Sequence, residues 1–528
     1  MNIFKYVIAS LIFSSFPITL QSNIPEEEML IIDSELADYN GKNIILQGNV
    51  VIEHMLGTIS ANHMTLHTAK KKEFGPFGLL EMHDRVKLNF RDGEVLSCAK
   101  AEVDYQALTG SFFGNEVQEF VTYTESEVEK KEGKTALAPL NVKSRRMTIR
   151  LASKEMKGDK KLPKNNVSAL TADEQVTVNY NNDFTVIADH AIYQRMSEDK
   201  EAEKAGALPG IITMKSAKVD GTCQVSNLEG DVIRADQIGI DTVKLQLTFN
   251  DPKGTLKRND SAKGIKQIDF SAEKLVWDDL AGVLALSKQV VLNQQGMGKL
   301  ETPHEVRFYQ HIVNHKKVLK AIESLSETVL TYREEDKNFS HTLSCSGPVT
   351  VDHEKMETRL VSNKNDFGDI DEARQVHFED SQGEIFADKV LIKYALLKGS
   401  ISVSKIYLVG NVKIYNRLNS AEDETIVVLQ YALADRVDFR PHTKEMLFKS
   451  SNTTRRVLFF DKTNNLQVSA PALKIIRDKA TGIDSIKGDG DVRFSLLESE
   501  FEQLRKRFSL CVDTAKNEKN ASTFTGDR

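Results

Sequence analysis

Histidines and aspartates are the residues of this chain whose spacing could hold a metal ion. His311 and His315 lie four residues apart with His304 nearby, and this spacing brings ligands together on a helix. The turn Asp489-Gly490-Asp491 offers carboxylates of the kind that calcium prefers. No glutamate lies between the two histidines in the zinc-peptidase pattern, and turn chemistry explains the aspartates more simply. We therefore predict no metal and no other cofactor.

Nucleophilic and phosphate-binding motifs are missing from the sequence. It has no G-x-S-x-G motif, no glycine-rich phosphate loop and no paired histidine–cysteine context. Cys98, Cys223, Cys345 and Cys511 are too far apart for a dense disulfide scaffold, although one long-range disulfide stays open. The net charge of −6 excludes nucleic acid as the partner, because phosphate neutralisation needs a basic face. These features favour a protein that is not an enzyme.

The elements that would position any site are short β-strands. Alternating runs rich in Val, Ile, Leu, Phe and Thr recur from Met29 to Leu496, broken by Gly, Asn and Asp. One pattern consists of two residues, often Gly-Asn or Gly-Asp, followed by Val, any residue and an apolar residue. Its copies are GNVVI (48–52), DRVKL (84–88), EQVTV (174–178), KQVVL (288–292), GPVTV (347–351), RQVHF (374–378), GNVKI (410–414), DRVDF (435–439) and GDVRF (490–494).

A second pattern follows the first at a fixed distance. It begins with Ala and places apolar or small residues three and five positions later. Val50 of the first pattern is followed by Ala61, the first residue of the second pattern. Val86 is followed in the same way by Cys98, which fills the alanine position as a small buried residue. The step from Val50 to Val86 is 36 residues, and a constant step of this size indicates a repeat of strands. The sequence therefore predicts an all-β fold of elongated, stacked strands.

The two ends of the chain have their own patterns. Lys5 precedes an apolar stretch from Val7 to Leu20, which predicts an export signal peptide or an uncleaved N-terminal anchor. Near the other end, apolar residues at helical steps predict an amphipathic helix that covers the last edge of the sheet. Docking of this helix to a partner is the alternative. The residues at these steps are Leu497, Phe501, Leu504, Phe508 and Cys511. Helical spacing and charges between 304 and 336 also predict a short helical insert.

Two stretches carry a resemblance to a known family. They are ADYNGKNIILQGNVVIEH (Ala37–His54) followed by GTISANHMTLH (Gly57–His67), and FADKVLIKYALLKGSISVSKIYLVGNVKIYN (Phe386–Asn416). They resemble the OstA-like, or organic-solvent-tolerance, domain of lipopolysaccharide-transport proteins, in which an acidic-aromatic turn, a GNV strand and an Ala-Asp/Asn strand recur. The second stretch has these elements in circularly shifted order. The resemblance is strongest over Met29–Gly114 and Val376–Phe494.

The resemblance implies a jelly roll of antiparallel strands whose faces enclose an apolar groove. It implies a periplasmic protein that carries the acyl chains of lipopolysaccharide, or a related glycolipid, to the outer membrane. Other lipopolysaccharide-transport proteins are then partners through edge strands, and association with the inner or outer membrane stays open. The chain is longer than the soluble bridge protein of the family, and it lacks the long C-terminal run of amphipathic strands of the largest members. Its place among the transporters is therefore open.

Strand alternation identifies inward-facing apolar residues as candidates for lining the groove. For each of them, ordinary packing in the core is the alternative explanation. They are Leu46, Val50, Ile52, Ile59, Met64, Leu66, Ile392, Leu408, Val412 and Ile414. A structural or adhesive β-rod that binds proteins predicts a closed core instead, and a carbohydrate-active enzyme predicts converging carboxylates. The predicted divisions are a signal peptide or anchor (1–22), an OstA-like β domain (23–124), a charged linker or insertion (125–166), a divergent β-repeat segment (167–300), a charged insert (301–340), a second OstA-like β domain (341–496), and an amphipathic helix with a disordered tail (497–528).

Overall fold

The structure is a computed structural model whose chain forms two compact units, Met1–Val219 and Asp220–Arg528. We call them the first and the second unit. The structure describes residues 31–54, 57–69, 77–90, 93–104, 107–125, 140–151, 167–180, 183–195, 210–216, 223–242, 244–260, 264–294, 298–313, 316–333, 340–365, 368–397, 400–419, 426–451, 455–461, 466–477 and 484–494. The predicted signal segment and the predicted C-terminal helix lie outside the described residues.

The described part of the first unit consists of strands, as the period-2 alternation of apolar residues requires. These are β1 (Ile31–Asp33), β2 (Leu36–Tyr39), β3 (Asn43–His54), β4 (Gly57–Thr68), β5 (Phe77–Phe90), β6 (Val95–Asp104), β7 (Thr109–Phe113), β8 (Val121–Thr124), β9 (Asn141–Ser144), β10 (Arg146–Leu151), β11 (Val167–Tyr180), β12 (Phe184–Arg195) and β13 (Gly210–Lys215).

The second unit continues in the same way, with one short 3-10 turn (Glu372–Arg374) among its described residues. Its strands are β14 (Cys223–Asn227), β15 (Val232–Ala235), β16 (Gln237–Asp241), β17 (Gln246–Asn250), β18 (Lys253–Asp260), β19 (Gly264–Ser271), β20 (Lys274–Asp278), β21 (Val283–Ser287), β22 (Val290–Gln294), β23 (Gly298–Thr302), β24 (Glu305–Val313), β25 (Lys316–Ser324), β26 (Thr328–Arg333), β27 (Ser340–Cys345), β28 (Val349–Asp352), β29 (Glu357–Val361), β30 (Val376–Asp380), β31 (Gly383–Ala387), β32 (Lys389–Leu397), β33 (Ser400–Asn419), β34 (Ile426–Arg440), β35 (Glu445–Lys449), β36 (Val457–Asp461), β37 (Leu466–Ala470), β38 (Ala472–Arg477), β39 (Asp484–Asp489) and β40 (Arg493–Phe494).

The two sequence patterns meet as neighbours across antiparallel hairpins. Val50 of β3 is the register partner of Ala61 of β4, and Val86 of β5 is the partner of Cys98 of β6. In the second unit, Val376 of β30 pairs with its alanine in β31 in the same way. The prediction of a repeat built from strands is therefore confirmed, and its 11- or 12-residue spacing is the length of one hairpin.

Strands of the second unit form two antiparallel ladders. Ladder A follows the order β14–β15–β18–β19–β22–β23–β26–β27–β30–β31–β33–β34–β36–β37–β40. Ladder B follows the order β16–β17–β20–β21–β24–β25–β28–β29–β32–β33–β34–β35–β38–β39. Successive hairpins alternate between the ladders, and the long strands β33 and β34 contribute one half to each. This alternation is a jelly-roll arrangement of stacked strands, as the sequence predicted.

The core of the second unit lies between its ladders. One apolar cluster contains Val376 and Val412 from ladder A together with Leu360 and Leu408 from ladder B. Each fully buried side chain of this size stabilises the fold by about 1.5–3 kcal/mol. Because both ladders contribute to one cluster, their inner faces pack against each other.

Two expectations about charged segments need correction. Residues 304–336 do not form a helix where they are described, because β24, β25 and β26 occupy them as ordinary members of the ladders. The charged residues of this segment lie on strands, and their helical spacing is coincidental. Within the expected linker 125–166, β9 and β10 pair with β8, β7 and β11, so this part of it is sheet.

Candidate functional site

A sharp corner inside the long strands sets the geometry of the interior. Gly48 and Asn49 of β3 have φ angles of 78° and 42°, and Gly410 and Asn411 of β33 have 81° and 44°. These left-handed residues interrupt the register as a bulge just before Val50 and Val412. At these two corners the motif turns one continuous strand, so that its two halves join different partner strands.

An acidic side chain holds each Gly-Asn corner. Asn49 donates its Nδ2 hydrogen to Glu35 Oε1 at 2.7 Å, and Asn411 donates likewise to Asp388 Oδ2 at 2.9 Å. The backbone N–H groups of these acids bond in turn to the glycine carbonyls at 3.1 and 3.0 Å. A Cβ on Gly410 would lie 2.3 Å from Asp388 Oδ2. The same device thus recurs in both units, which explains why glycine precedes asparagine there.

Next to the corners of the second unit, inward-facing side chains are fully buried. In ladder A, the residues at this position include Val376, Ala387 and Val412, whose side chains are 0–2% exposed. Leu360 and Leu408 represent it in ladder B, with 1% and 5% exposure. The two ladders therefore touch along their corners and leave no space for a ligand at that level.

Two residues further from the corners, part of each inner row is only half-buried, whereas Ala432, Phe459, Val468, Thr358 and Ile475 in the same rows are buried. The half-buried residues are Leu343, Phe378, Ile385 and Ile414 in ladder A, and Val351, Ile392, Ile406, Phe439 and Met446 in ladder B. The cross-strand register joins each group into a row along its ladder. Because these inward-facing side chains stay partly accessible, we infer that the ladders separate at these strands with distance from the corners. We call these two rows the apolar cleft.

A polar row follows the apolar cleft on ladder A. Strand alternation places His341, Asp380, Asn416, Gln430 and Asp461 on the inner face, one step further out. Asn416 Nδ2 donates to Gln430 Oε1 at 3.1 Å, and Gln430 Nε2 donates to Asp461 Oδ2 at 3.0 Å. His341 Nδ1 lies 3.4 Å from Asp380 Oδ2. The cleft therefore has an apolar interior and a hydrogen-bonding rim.

The first unit has a closed interior at the corresponding positions. Large side chains fill it, including Tyr123, Phe184 and Tyr193, each 0–2% exposed. Along the row two residues from the corners, Leu66 and Val178 are completely buried. Most inward positions of the first unit thus pack as core and offer little accessible apolar surface.

The candidate groove residues fall into three groups. Leu46, Val50, Ile52, Met64 and Leu66 are 0–1% exposed in the closed core of the first unit, where Ile59 is half-buried as the partner of Ile52. In the second unit, Leu408 and Val412 lie at the closed corner. Ile392 and Ile414 line the apolar cleft.

Other members of the cleft were missed in the sequence. Phe378, Ile385, Ile406 and Met446 were not selected, although each lies on the inner face of its strand. Phe378 carries a signal that could have found it, since it lies two residues after the valine of the recurring pattern. Ile406 and Met446 are the register partners of Phe439, which also lies two residues after such a valine, but the register itself cannot be read from the sequence.

Histidines and thiols do not converge on a reactive centre within the described residues. His311 and His304 lie on and beside strand β24, and no group of three metal-ligating side chains forms in the parts of the chain that the structure describes. Burial raises the pKa of the Cys98 thiol to about 12 and also raises the pKa of Cys345. Cys223, like these two, is a buried cysteine. These cysteines are small core residues.

Comparisons with known proteins leave the family open. No protein-family model matches the chain, and no curated protein matches it. Among the residues that the structure describes, no helix has the length and apolar character needed to cross a membrane. The resemblance to OstA-like domains therefore rests on the motifs of the sequence.

Proposed function

We propose that the protein is a non-enzymatic lipid conduit. Its apolar cleft binds the acyl chains of lipopolysaccharide or a related glycolipid, and the protein carries this lipid across the periplasm to the outer membrane. The observation that carries the proposal is the pair of half-buried apolar rows on facing ladders. An apolar surface that faces inward, yet stays accessible, suits a ligand that is itself apolar.

The energetics of the cleft fit transport. Burial of one CH₂ group is worth about 0.8 kcal/mol, so an acyl chain of a dozen carbons gains on the order of 10 kcal/mol when fully covered. A single site of that strength would release its lipid slowly. Repeated strands offer neighbouring positions of similar character, so an acyl chain moves by exchanging one apolar contact for another.

The polar rim suits the head of a glycolipid. Asn416, Gln430 and His341 present amide and imidazole groups beside the apolar row, and Asp380 presents a carboxylate. Sugar hydroxyl groups both donate and accept hydrogen bonds, and these side chains can do the same. Acyl chains in the cleft and sugars at the rim would orient the lipid with respect to the ladders.

Edge strands provide the sites for transport partners. In the described part of the second unit, β39 ends ladder B beside β38, and β40 ends ladder A beside β37. A strand from another lipopolysaccharide-transport protein can add to such an edge through main-chain hydrogen bonds. A ladder extended in this way would continue the sheet into the partner.

Photo-crosslinking tests the conduit with a closely matched control. A photoreactive amino acid replaces Ile392, which faces the cleft, or Leu391, which is its half-buried neighbour on the outer face of ladder B. We expect lipopolysaccharide to crosslink at position 392 and not at 391. Equal labelling at both positions, or no lipid at 392 in folded protein, contradicts the proposal.

A structural rod that binds protein partners is the second candidate. The closed core of the first unit favours it, because large buried side chains such as Tyr123 and Tyr193 leave no accessible apolar channel there. On that hypothesis, the probe at position 392 captures protein or nothing. Capture of the lipid at this position decides for the conduit.

A further inference from the structure

The outer face of ladder B carries an excess of positive charge. Its outward-facing residues on β29, β32, β33, β34, β35, β38 and β39 lie in three cross-strand rows, which we call the basic face. The described basic residues of this face are Arg359, Lys389, Lys393, Lys405, Arg436, Arg440, Lys449, Lys474 and Lys487, and the acidic ones are Glu357, Asp438, Glu445 and Asp489. The basic face thus has a formal charge of +5, although the whole chain has −6.

The uncompensated charge of this face belongs to lysines. Arg359 Nη2 lies 2.6 Å from Glu357 Oε1, and Arg436 Nε lies 2.7 Å from Asp438 Oδ1. Glu445 pairs with the third arginine and with the lysine of β38. Five exposed lysines form no ion pair with a described residue, and they are Lys389, Lys393, Lys405, Lys449 and Lys487. Their ammonium groups are therefore accessible to an anionic ligand.

Apolar side chains lie between these cations. Lys389 and Lys393 flank Leu391 on β32, and with Tyr407 of the next strand these residues line an open depression of about 520 Å³. The Arg436 guanidinium lies over the Tyr407 ring, 5.5 Å from its centroid. The depression thus offers ammonium groups and apolar surface to the same ligand. A phosphate group attached to a hydrocarbon fits both.

The basic face is too broad for one small anion. From β32 to β39, six neighbouring strands of ladder B carry the five lysines, and five strand spacings amount to about 24 Å. Exposed apolar residues are scattered over the same area, since Val409 and Ile476 are 41% and 37% exposed. An extended anionic surface can contact all of these side chains at once.

We propose that the basic face binds the surface of a membrane that contains anionic phospholipids. Such a surface has a negative potential that attracts clustered lysines. The apolar stems of the lysines and the side chains between them can lie against the lipid, while the ammonium groups contact phosphate. Interfaces between proteins are depleted in lysine and enriched in arginine. The excess charge here comes from lysine alone, which favours a lipid surface over an acidic protein.

This inference does not depend on the proposed conduit, because its test uses phospholipid vesicles without lipopolysaccharide. Leu391 lies on the basic face, and its neighbour Ile392 lies in the apolar cleft. The two positions then contact different lipids, phospholipid at 391 and lipopolysaccharide at 392. Failure of vesicle binding leaves the conduit unaffected, and absence of lipopolysaccharide at 392 leaves membrane binding unaffected.

Cosedimentation of the full-length chain with vesicles tests the proposal. The vesicles contain phosphatidylcholine alone, or phosphatidylcholine and phosphatidylglycerol in equal amounts. The test variant replaces three lysines of the basic face, and the control variant replaces three exposed lysines elsewhere, with the same change in net charge. The test substitutions are Lys389→Glu, Lys393→Glu and Lys405→Glu, and the control substitutions are Lys87→Glu, Lys253→Glu and Lys364→Glu.

We expect the unmodified protein and the control variant to bind the anionic vesicles several-fold more than the neutral ones. The test variant should lose this preference, because its carboxylates repel the anionic surface. Equal binding of the unmodified protein to both kinds of vesicle overturns the proposal. An equal loss in the test and control variants also overturns it, since net charge and not the basic face would then decide binding.

Two further measurements keep the test decisive where the glutamate variant folds poorly. Arginine at positions 389, 393 and 405 keeps the charge, so this variant should keep the preference for anionic vesicles. Salt shortens the Debye length from about 8 Å at 0.15 M to about 3 Å at 1 M, so binding of the unmodified protein should fall several-fold over this range. Binding that salt leaves unchanged, or a folded arginine variant without the preference, contradicts the proposal.

Discussion

Two consecutive residues in left-handed conformation turn each long strand from one ladder to the other. At the Gly410-Asn411 corner, the asparagine side chain and the glycine carbonyl both bond to Asp388. The corner fixes which side chains meet at the closed end of the cleft.

Replacement of the corner glycine is expected to destabilise the second unit. Gly410→Ala imposes the left-handed cost of roughly 1–2 kcal/mol and also forces a Cβ against Asp388, 2.3 Å away. Gly368→Ala is the control, because its φ of 83° carries the same cost and its Cβ would meet nothing within 4 Å. Urea unfolding should show a larger loss of unfolding free energy for Gly410→Ala. Equal losses would mean that Asp388 moves aside freely.

Buried thiols should resist alkylation until the fold opens. The thiolate is the reactive form, and the pKa of about 12 leaves almost none of Cys98 ionised near neutral pH. The raised pKa of Cys345 has the same effect. We expect mass spectrometry to find both thiols unmodified after maleimide treatment of native protein, and both modified in denaturant. Rapid labelling of Cys98 in the native state would contradict its place in the core.

At the scale of elements, neighbouring strands repeat one arrangement with a gradual change. Several strands of the second unit present a buried residue next to the corner and a half-buried residue beyond it, as Leu408 and Ile406 do in β33. The buried positions hold the ladders together, and the half-buried positions remain accessible. On the proposed function, stability and lipid binding would therefore depend on different positions of the same strand.

A charge in the cleft is expected to block lipid binding at moderate cost to stability. Ile406→Glu places a carboxylate among Ile392 and Phe439, its neighbours on the inner face. Because Ile406 is half-buried, its carboxylate keeps partial access to water. We expect lipopolysaccharide binding to fall at least about tenfold, which corresponds to 1.4 kcal/mol. Tyr407→Glu, on the outer face of the same strand, should bind the lipid as the unmodified protein does.

At the scale of the whole molecule, both units have the corner device, and the packing of the interior changes along the chain. Large side chains are fully buried in the first unit and in the early strands of the second, as Tyr123 and Trp277 are, whereas several inner positions of the strands from β27 to β35 are half-buried. A repeat fold allows this difference, because each strand packs mainly on its neighbours and can change without disturbing distant strands.

A crosslinking scan along the chain should separate the two interiors. We expect lipopolysaccharide at Ile392, Ile414 and Met446, which line the cleft, and little at Ile52, which is 1% exposed in the first unit. The measurement is the lipid-labelled fraction of folded protein at each position. Stronger labelling at Ile52 than at Ile392 would place the conduit in the first unit.

The sequence by itself determined the class of fold and its repeat. Period-2 alternation indicated strands, and the spacing of Val50 to Ala61 matched a cross-strand pair, because residues in one hairpin are close in sequence. Local geometry was also readable, since Gly-Asn tolerates the left-handed conformation that a corner needs. Four of the ten candidate groove residues lie in the second unit, and two of these, Ile392 and Ile414, line its cleft.

Only the tertiary structure decided which inward positions are accessible. Ile52 and Ile392 have the same residue type and both face inward, yet the first is 1% exposed and the second is half-buried. Their difference depends on how far the opposite ladder stands away, and that distance is set by strands remote in sequence. Alternation specifies the face of a side chain, because it is a property of one strand. Burial is a property of two packed layers, which is why the cleft emerged only from the fold.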